Sequence, residues 1–140
     1  MMYLLDTNVV SELRKIRAGS ADPAVATWAG IVESDTLFVS VITIEEIEIG
    51  VLLAERRDQA QGKVLRTWFQ RRVLPAFSGR ILPVDEAVVR RSARLHVPNP
   101  LPVRDAFIAA TALVHGMTVV TRNVRDFETA RVPLLNPWTR

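Results

Sequence analysis

Five oxygen-bearing side chains, Asp6, Glu46, Asp105, Asn123 and Asp126, are spread along the 140 residues, yet each falls where a strand ends or a helix begins. Asp6 directly follows the apolar run at 2–5. Glu46 lies in the first turn after the run at 36–41, and Asp105 opens a helical pattern beginning at Val103. Asn123 and Asp126 follow the run at 117–121. In a parallel sheet with right-handed crossovers, strand ends and the starts of the returning helices share one edge, where open α/β folds hold ligands. Three carboxylates within ~5 Å of one another would repel by ~3 kcal/mol per pair at an effective dielectric of ~20. Such a cluster needs a cation, and donors that are all oxygen favour Mg²⁺ or Mn²⁺. A divalent ion there can acidify a bound water and neutralise charge on a phosphoryl oxygen. The chemistry implied is hydrolysis of a phosphodiester.

The elements that must position these groups are written in the apolar patterning. Runs at 2–5, 36–41, 80–84 and 117–121, with a weaker one at 132–135, alternate with helical spacing, which predicts an α/β fold with a parallel sheet wrapped by helices. Asp22-Pro23 places an N-cap before a proline at the first helical position, for a helix through Trp28. Thr43 with Glu46 has the form of a capping box and predicts a helix toward Arg57. Between Gln61 and Phe77, Val64, Leu65, Trp68 and Phe69 share a face away from Arg66, Gln70 and Arg71; that stripe is assigned to the core, with a partner groove as second reading. Helical spacing returns over Glu86 to Leu95 and over Val103 to His115, the latter closed by Gly116. Pro98-Asn99-Pro100-Leu101-Pro102 reads as a stiff lead-in rather than a linker, so residues 1–140 are expected to form one domain.

Taken singly, most of these polar groups have ordinary explanations. Glu46 suits the capping box, Asp105 suits the helix dipole or a salt bridge to Arg104, and Asn123 and Asp126 suit a turn. Asp6 has no evident structural partner, and the functional reading rests on the coincidence of all five at one edge. The two histidines, His96 and His115, lack zinc-site spacing and read as surface or helix-end residues. The chain has no cysteine, which excludes disulfides and thiolate metal sites, and no glycine-rich phosphate loop. A secretory leader and a membrane-length apolar run are both missing, so a cytoplasmic protein without membrane contact is expected. Lys15 and Lys63 are the only lysines among 18 basic residues; the arginine excess suits phosphate or an acidic partner, and also a GC-rich genome. Trp28, Trp68, Phe69 and Trp138 are more aromatic surface than the predicted core clearly absorbs, so an interface with a partner protein is expected.

Four ordered segments, 4–11, 40–47, 104–112 and 121–127, together with the closing Leu135-Asn136-Pro137-Trp138, resemble the PIN-domain family, and within it the VapC toxins of the FitB-like branch. The resemblance covers essentially the whole chain. It implies a PIN-like three-layer sandwich, with a central, mainly parallel sheet of four to five strands and helices on both sides. It also implies a Mg²⁺-dependent endoribonuclease, with Mn²⁺ a possible substitute, that serves as the toxin of a toxin–antitoxin pair. By position, Asp6, Glu46 and Asp105 match the family's catalytic and metal-binding acids, and the fourth acidic position falls on Asn123, with Asp126 available as a further metal ligand. Thr7, Asn8 and Thr121 would fix the carboxylates. The implied partners are an RNA substrate, a VapB- or FitA-like antitoxin that blocks the active edge, operator DNA reached only through that antitoxin, and a second copy of the chain or a larger assembly. Two alternatives stay open: a catalytically weak subunit of a DNA-bound autoregulatory complex, and a nuclease directed at DNA.

Overall fold

The computed structural model describes residues 1–139. Tyr3–Leu5 form β1, Thr7–Arg14 α1 and Pro23–Ile31 α2. β2 (Leu37–Ser40) runs directly into α3 (Val41–Arg57). α4 (Gln59–Trp68) continues through a π-turn at Phe69–Val73 into the short α5 (Leu74–Ala76). β3 (Ile81–Leu82), α6 (Glu86–Leu95), α7 (Val103–His115) and β4 (Thr118–Val120) follow. A 3-10 segment at Val124–Ala130 then leads to β5 (Leu134–Leu135).

All five strands are parallel, in the order β3-β2-β1-β4-β5. Successive strand residues point to opposite faces, so each strand feeds two cores. Leu5 and Val120 enter the core built with α1, α3 and the α4–α5 stretch, through Val9, Ile47, Val51, Phe69, Val73 and Phe77. Leu4 and Val119 enter the other, with Ile108, Ala109 and Ala112 of α7 and Phe127 of the 3-10 segment. This is the expected α/β three-layer arrangement. Leu4 and Leu5 are both fully buried, each contributing roughly 2–3 kcal/mol of apolar transfer, so the next residue, Asp6, is held from both faces of the sheet.

The chain moves outward from β1 to β2 to β3, then jumps back across β1 to place β4 on its other side. The gap between the ends of β1 and β4 is therefore the point where the winding reverses, the usual ligand crevice of an open parallel sheet.

Local chemistry departs from the sequence reading in several places. The N-cap of α3 is Ser40, whose Oγ accepts from Ile42 N at 3.0 Å. Thr43 lies inside the first turn, fully buried, its hydroxyl without a partner among the described residues. The expected Thr43–Glu46 capping box does not form, because β2 passes into the helix without a loop and the turn closes three residues earlier. α1 was not expected; its cap is Asp6 itself. Of the expected stripe, Phe69 is buried in the core and Leu65 and Trp68 pack against it, whereas Val64 is 56% exposed; Val73 and Phe77 complete the inward face. The π-turn precedes Pro75, which has no N–H to offer the carbonyl four residues back and crowds it, so the ladder widens. Asp22-Pro23, α6 and α7 follow the sequence reading, with Gly116 in the left-handed conformation at φ 66°.

α3 and α4 approach closely at Gly62. A Cβ there would stand 2.4 Å from Glu55 Cα, a backbone atom that cannot step aside, whereas one at Gly50 would meet nothing within 4 Å. Gly62→Ala is expected to destabilise the fold by about 2 kcal/mol or more. Gly50→Ala, in the middle of α3, should stabilise it by up to about 1 kcal/mol. Urea denaturation of the two variants checks the contrast.

Candidate active site

Asp6 ends β1 in extended geometry and caps α1. Its Oδ1 accepts from the Thr7 amide at 2.8 Å, and its Oδ2 accepts from the Thr121 hydroxyl at 2.8 Å and from the Asn8 side-chain amide at 3.3 Å. Thr121 directly follows β4, so this last hydroxyl bond spans the reversal point of the sheet. The same hydroxyl accepts from the Asn123 amide at 3.0 Å, which orients it to donate to Asp6. Asp6 is only 7% exposed.

The other acids arrive from separate elements. Glu46, in the second turn of α3, accepts from the Thr7 hydroxyl at 2.6 Å. Asp105 stands in the first turn of α7, half-buried. Asp126 stands in the first turn of the 3-10 segment, its amide bonded to the Asn123 carbonyl at 3.1 Å. Asn123 lies beside these groups, exposed, and its side chain makes no capping hydrogen bond. The backbone of Asn123 thus turns the chain so that Asp126 brings the charge.

Burial acts most strongly on Asp6 and raises its pKa above the ordinary 3.8. Hydrogen bonds from Thr121 and Thr7 oppose this, the charges of Glu46 and Asp126 add to it, and the net direction is upward. Asp105 is pushed up to about 6, first by burial and then by the charges of Asp6, Asp126 and Glu46. Every charge acting on Asp105 is another carboxylate. Arg104 does not pair with Asp105 as the sequence allowed; its guanidinium stands 3.7 Å from Glu45 and 4.0 Å from Glu46, and such half-exposed contacts offset little of the repulsion.

The donors are all oxygen, mutually repelling and partly desolvated, which fits a hard divalent cation. Among the described residues no three or more Asp, Glu or His side chains stand close enough together, as the structure places them, to hold a metal ion. The set is an open acidic cluster in which Asp6 is held by hydrogen bonds and the charges of Asp6, Glu46 and Asp126 bear on Asp105. Both histidines sit at helix ends: His96 accepts from the Leu101 amide at 3.1 Å, and His115 ends α7. The partner groove that is the second reading of the stripe through Trp68 has a counterpart in the structure: an apolar pocket between α1 and the α4–α5 stretch, lined by Val10, Leu13, Trp68, Val73 and Phe77 and rimmed by Arg14, Arg17, Arg72 and Arg80. Its α1 wall and its arginine rim have no pattern in the sequence that joins them.

A family model described as PIN domain matches residues 3–132. The chain is 39% identical to a VapC ribonuclease Y4jK of Sinorhizobium fredii, with 98% of each chain covered. It is 37% identical to the toxin FitB of Neisseria gonorrhoeae, covering 98% of this chain and 99% of that one. Among solved structures, FitAB bound to an IR36 DNA fragment superposes with a TM-score of 0.89 at 35% identity, over 99% of this chain and 97% of the other. A toxin–antitoxin complex from Klebsiella pneumoniae gives a TM-score of 0.66 at 28% identity, over 96% and 97%.

The electrostatics of the site has a thermodynamic consequence. Asp105 titrates near 6 when folded against an ordinary 3.8, so within that window the folded protein binds more protons than the unfolded chain, and metal-free stability falls as pH rises. The cost is fully present above about pH 6 and is relieved as pH drops. Asp105→Asn is expected to raise the Tm of the metal-free protein by about 3 °C near neutral pH and to flatten its pH dependence. Differential scanning calorimetry across that pH range measures both; a lower Tm for the variant would mean that Asp105 is not under repulsion.

Proposed function

The chain belongs to the PIN-domain family, and from that premise we propose that it is a metal-dependent endoribonuclease acting as the toxin of a toxin–antitoxin pair. The observation that carries this reading is the hydroxyl bond from Thr121 to Asp6 across the reversal point of the sheet, with Glu46, Asp105 and Asp126 grouped round the same carboxylate. The ribonuclease and toxin names of the two full-length relatives point the same way.

In this reading Asp6, Asp105, Glu46 and Asp126 hold Mg²⁺, or Mn²⁺ in its place, and Asn123 supplies a neutral oxygen. Such an ion, when bound, lowers the pKa of a water and neutralises charge on the phosphodiester. The protein's own part is positioning. Thr121, Thr7 and Asn8 donate to Asp6 and fix its two oxygens in direction, and Thr7 holds Glu46 as well. Asp105, pushed up to about 6 in the metal-free protein, is ionised at neutral pH; in mild acid its proton competes with the metal, so activity at subsaturating Mg²⁺ falls as pH drops through that range and is restored by more Mg²⁺.

An antitoxin fits the apolar pocket along α1. The pocket begins one turn beyond Thr7, and its floor is apolar while its rim carries four arginines. A segment with apolar anchors and acidic flanks would match it and reach the active edge along the same helix. Operator DNA would then be contacted through the antitoxin; the similar FitAB structure is bound to a DNA fragment. No helix among the described residues is long and apolar enough to cross a membrane, and the reading places the pair in the cytoplasm. A second reading, a catalytically weak subunit of a DNA-bound complex, draws on the neutral Asn123 and on the DNA in that neighbour.

Incubating the purified protein with tRNA, ribosomal RNA and single-stranded DNA in Mg²⁺ or Mn²⁺ separates these possibilities. Discrete RNA fragments that disappear with EDTA are expected. Asp6→Asn should reduce the rate on the order of 100-fold or more, and Thr121→Val about 10- to 100-fold through loss of carboxylate orientation. A folded Asp6→Asn protein that cleaves at the full metal-dependent rate would sink the mechanism, and cleavage of DNA alone would reassign the substrate.

A further inference from the structure

Arg122 follows Thr121 at the end of β4 and is exposed. Its amide donates to Asn8 Oδ1 at 3.3 Å, and the Asn8 side-chain amide donates to Asp6 Oδ2 at 3.3 Å. The Arg122 backbone is therefore two hydrogen bonds from the central carboxylate of the site. Its guanidinium does not join the acids. It rests over the Trp138 ring, 5.3 Å from the centroid, and it is not among the influences on Asp6 or Asp105. Among the described residues no ion pair joins Arg122 to a carboxylate.

Trp138 is a fixed support. Its amide donates to Asn136 Oδ1 at 2.9 Å, its ring packs partly against the core, and the preceding Pro137 is buried. A guanidinium lying on an anchored indole keeps its planar fork of donors and has already lost much of its rotamer freedom, which suits it to a phosphate. The two other arginine–aromatic pairs, Arg14 with Trp68 and Arg80 with Phe77, line the apolar pocket on α1. Arg104, the other guanidinium near the acids, stands against Glu45 and Glu46. Arg125, next to Asp126, is likewise without an ion pair among the described residues but rests on no aromatic ring; Arg122 combines an uncommitted charge with a set orientation.

We propose that Arg122 grips the backbone phosphate of the nucleotide next to the scissile bond, with Trp138 as the residue that positions it. This rests on the RNA-cleaving reading and deepens it: the strand is held at the β4 end of the site by a phosphate contact outside the metal cluster. A neutral side chain at 122 would leave the acids and their hydrogen bonds in place, because the bond to Asn8 comes from the backbone.

The test uses the full chain with Asp6→Asn, so that the RNA stays whole, and a fluorescein-labelled single-stranded RNA of mixed sequence in Mg²⁺, read by anisotropy over a range of salt. Adding Arg122→Gln is expected to weaken binding about tenfold and to reduce the slope of log K against log salt by about 0.7, one phosphate contact on a single strand. Arg122→Lys should keep the slope and lose part of the affinity. Trp138→Phe should stay near the parent and Trp138→Leu should follow Arg122→Gln, which separates a positioning role from a general loss of folding. In the cleaving chain, Arg122→Gln should raise KM about tenfold with kcat within about a factor of two. An Arg122→Gln protein with affinity within twofold, an unchanged salt slope and an unchanged KM would overturn the proposal while leaving the nuclease reading intact. If the unsubstituted chain neither binds nor cleaves RNA, the nuclease reading fails and this inference fails with it.

Discussion

Repulsion among carboxylates at a partly dry sheet edge is the constraint round which the rest of the molecule is arranged. Asp6 receives three hydrogen bonds that favour its charged form, and still its pKa lies above the ordinary value. Desolvation and like charge outweigh the bonds. Asp105 has no such bonds to set against the same forces and is shifted to about 6. A fold does not keep this arrangement for stability, since a neutral side chain at either position would remove the cost. Like charges held together by an otherwise ordinary scaffold mark a candidate functional site, and the proposed divalent ion would relieve their repulsion.

The scaffold can carry the strain because the strand leading into it is anchored twice. β1 is the central strand, paired on one side with β2 and on the other with β4, and its last two residues are fully buried on opposite faces. The reversal of winding leaves a crevice between β1 and β4, and Thr121 closes it with the shortest polar link available, a hydroxyl. Thr7 repeats the device toward α3. Two threonine hydroxyls thus tie neighbouring elements to two acids, Thr121 to Asp6 and Thr7 to Glu46, and residues 115 positions apart in sequence meet without any loop having to be ordered for the purpose. α1 then extends from this point to the arginine-rimmed pocket, so a partner seated there would feel, and affect, the position of the cap residue.

Much of this was legible in the sequence. Apolar runs located all five strands to within about two residues, and the alternation with helices implied a parallel sheet whose edge would gather Asp6, Glu46, Asp105 and Asp126. Strand order was not legible, because it is set by which cores the crossovers bury and not by any one segment. The start of α3 was misread: Thr43 and Glu46 have capping-box spacing, but the helix begins at Val41 under Ser40, which frees Glu46 to meet Thr7. α1 was overlooked because its cap is the same aspartate that stood out as a chemical residue, and the two roles coexist. The exposure of Val64 and the π-turn before Pro75 are tertiary matters: α4 meets α3 closely at Gly62, and Val73 and Phe77 extend the inward face that Leu65, Trp68 and Phe69 begin. The Arg122–Trp138 pair joins residues with no pattern between them, and only the folded chain brings them together.

Carboxyl ¹³C NMR of Asp105, followed as pH is varied with and without saturating Mg²⁺, reads both the repulsion at the sheet edge and its relief by a cation. The metal-free carboxyl should titrate near 6, and its pKa should fall by at least about two units once Mg²⁺ is bound, because a cation replaces repulsion with attraction. A pKa near 4 in both conditions would show that the acids neither crowd one another nor gather an ion, and the site as described would not exist.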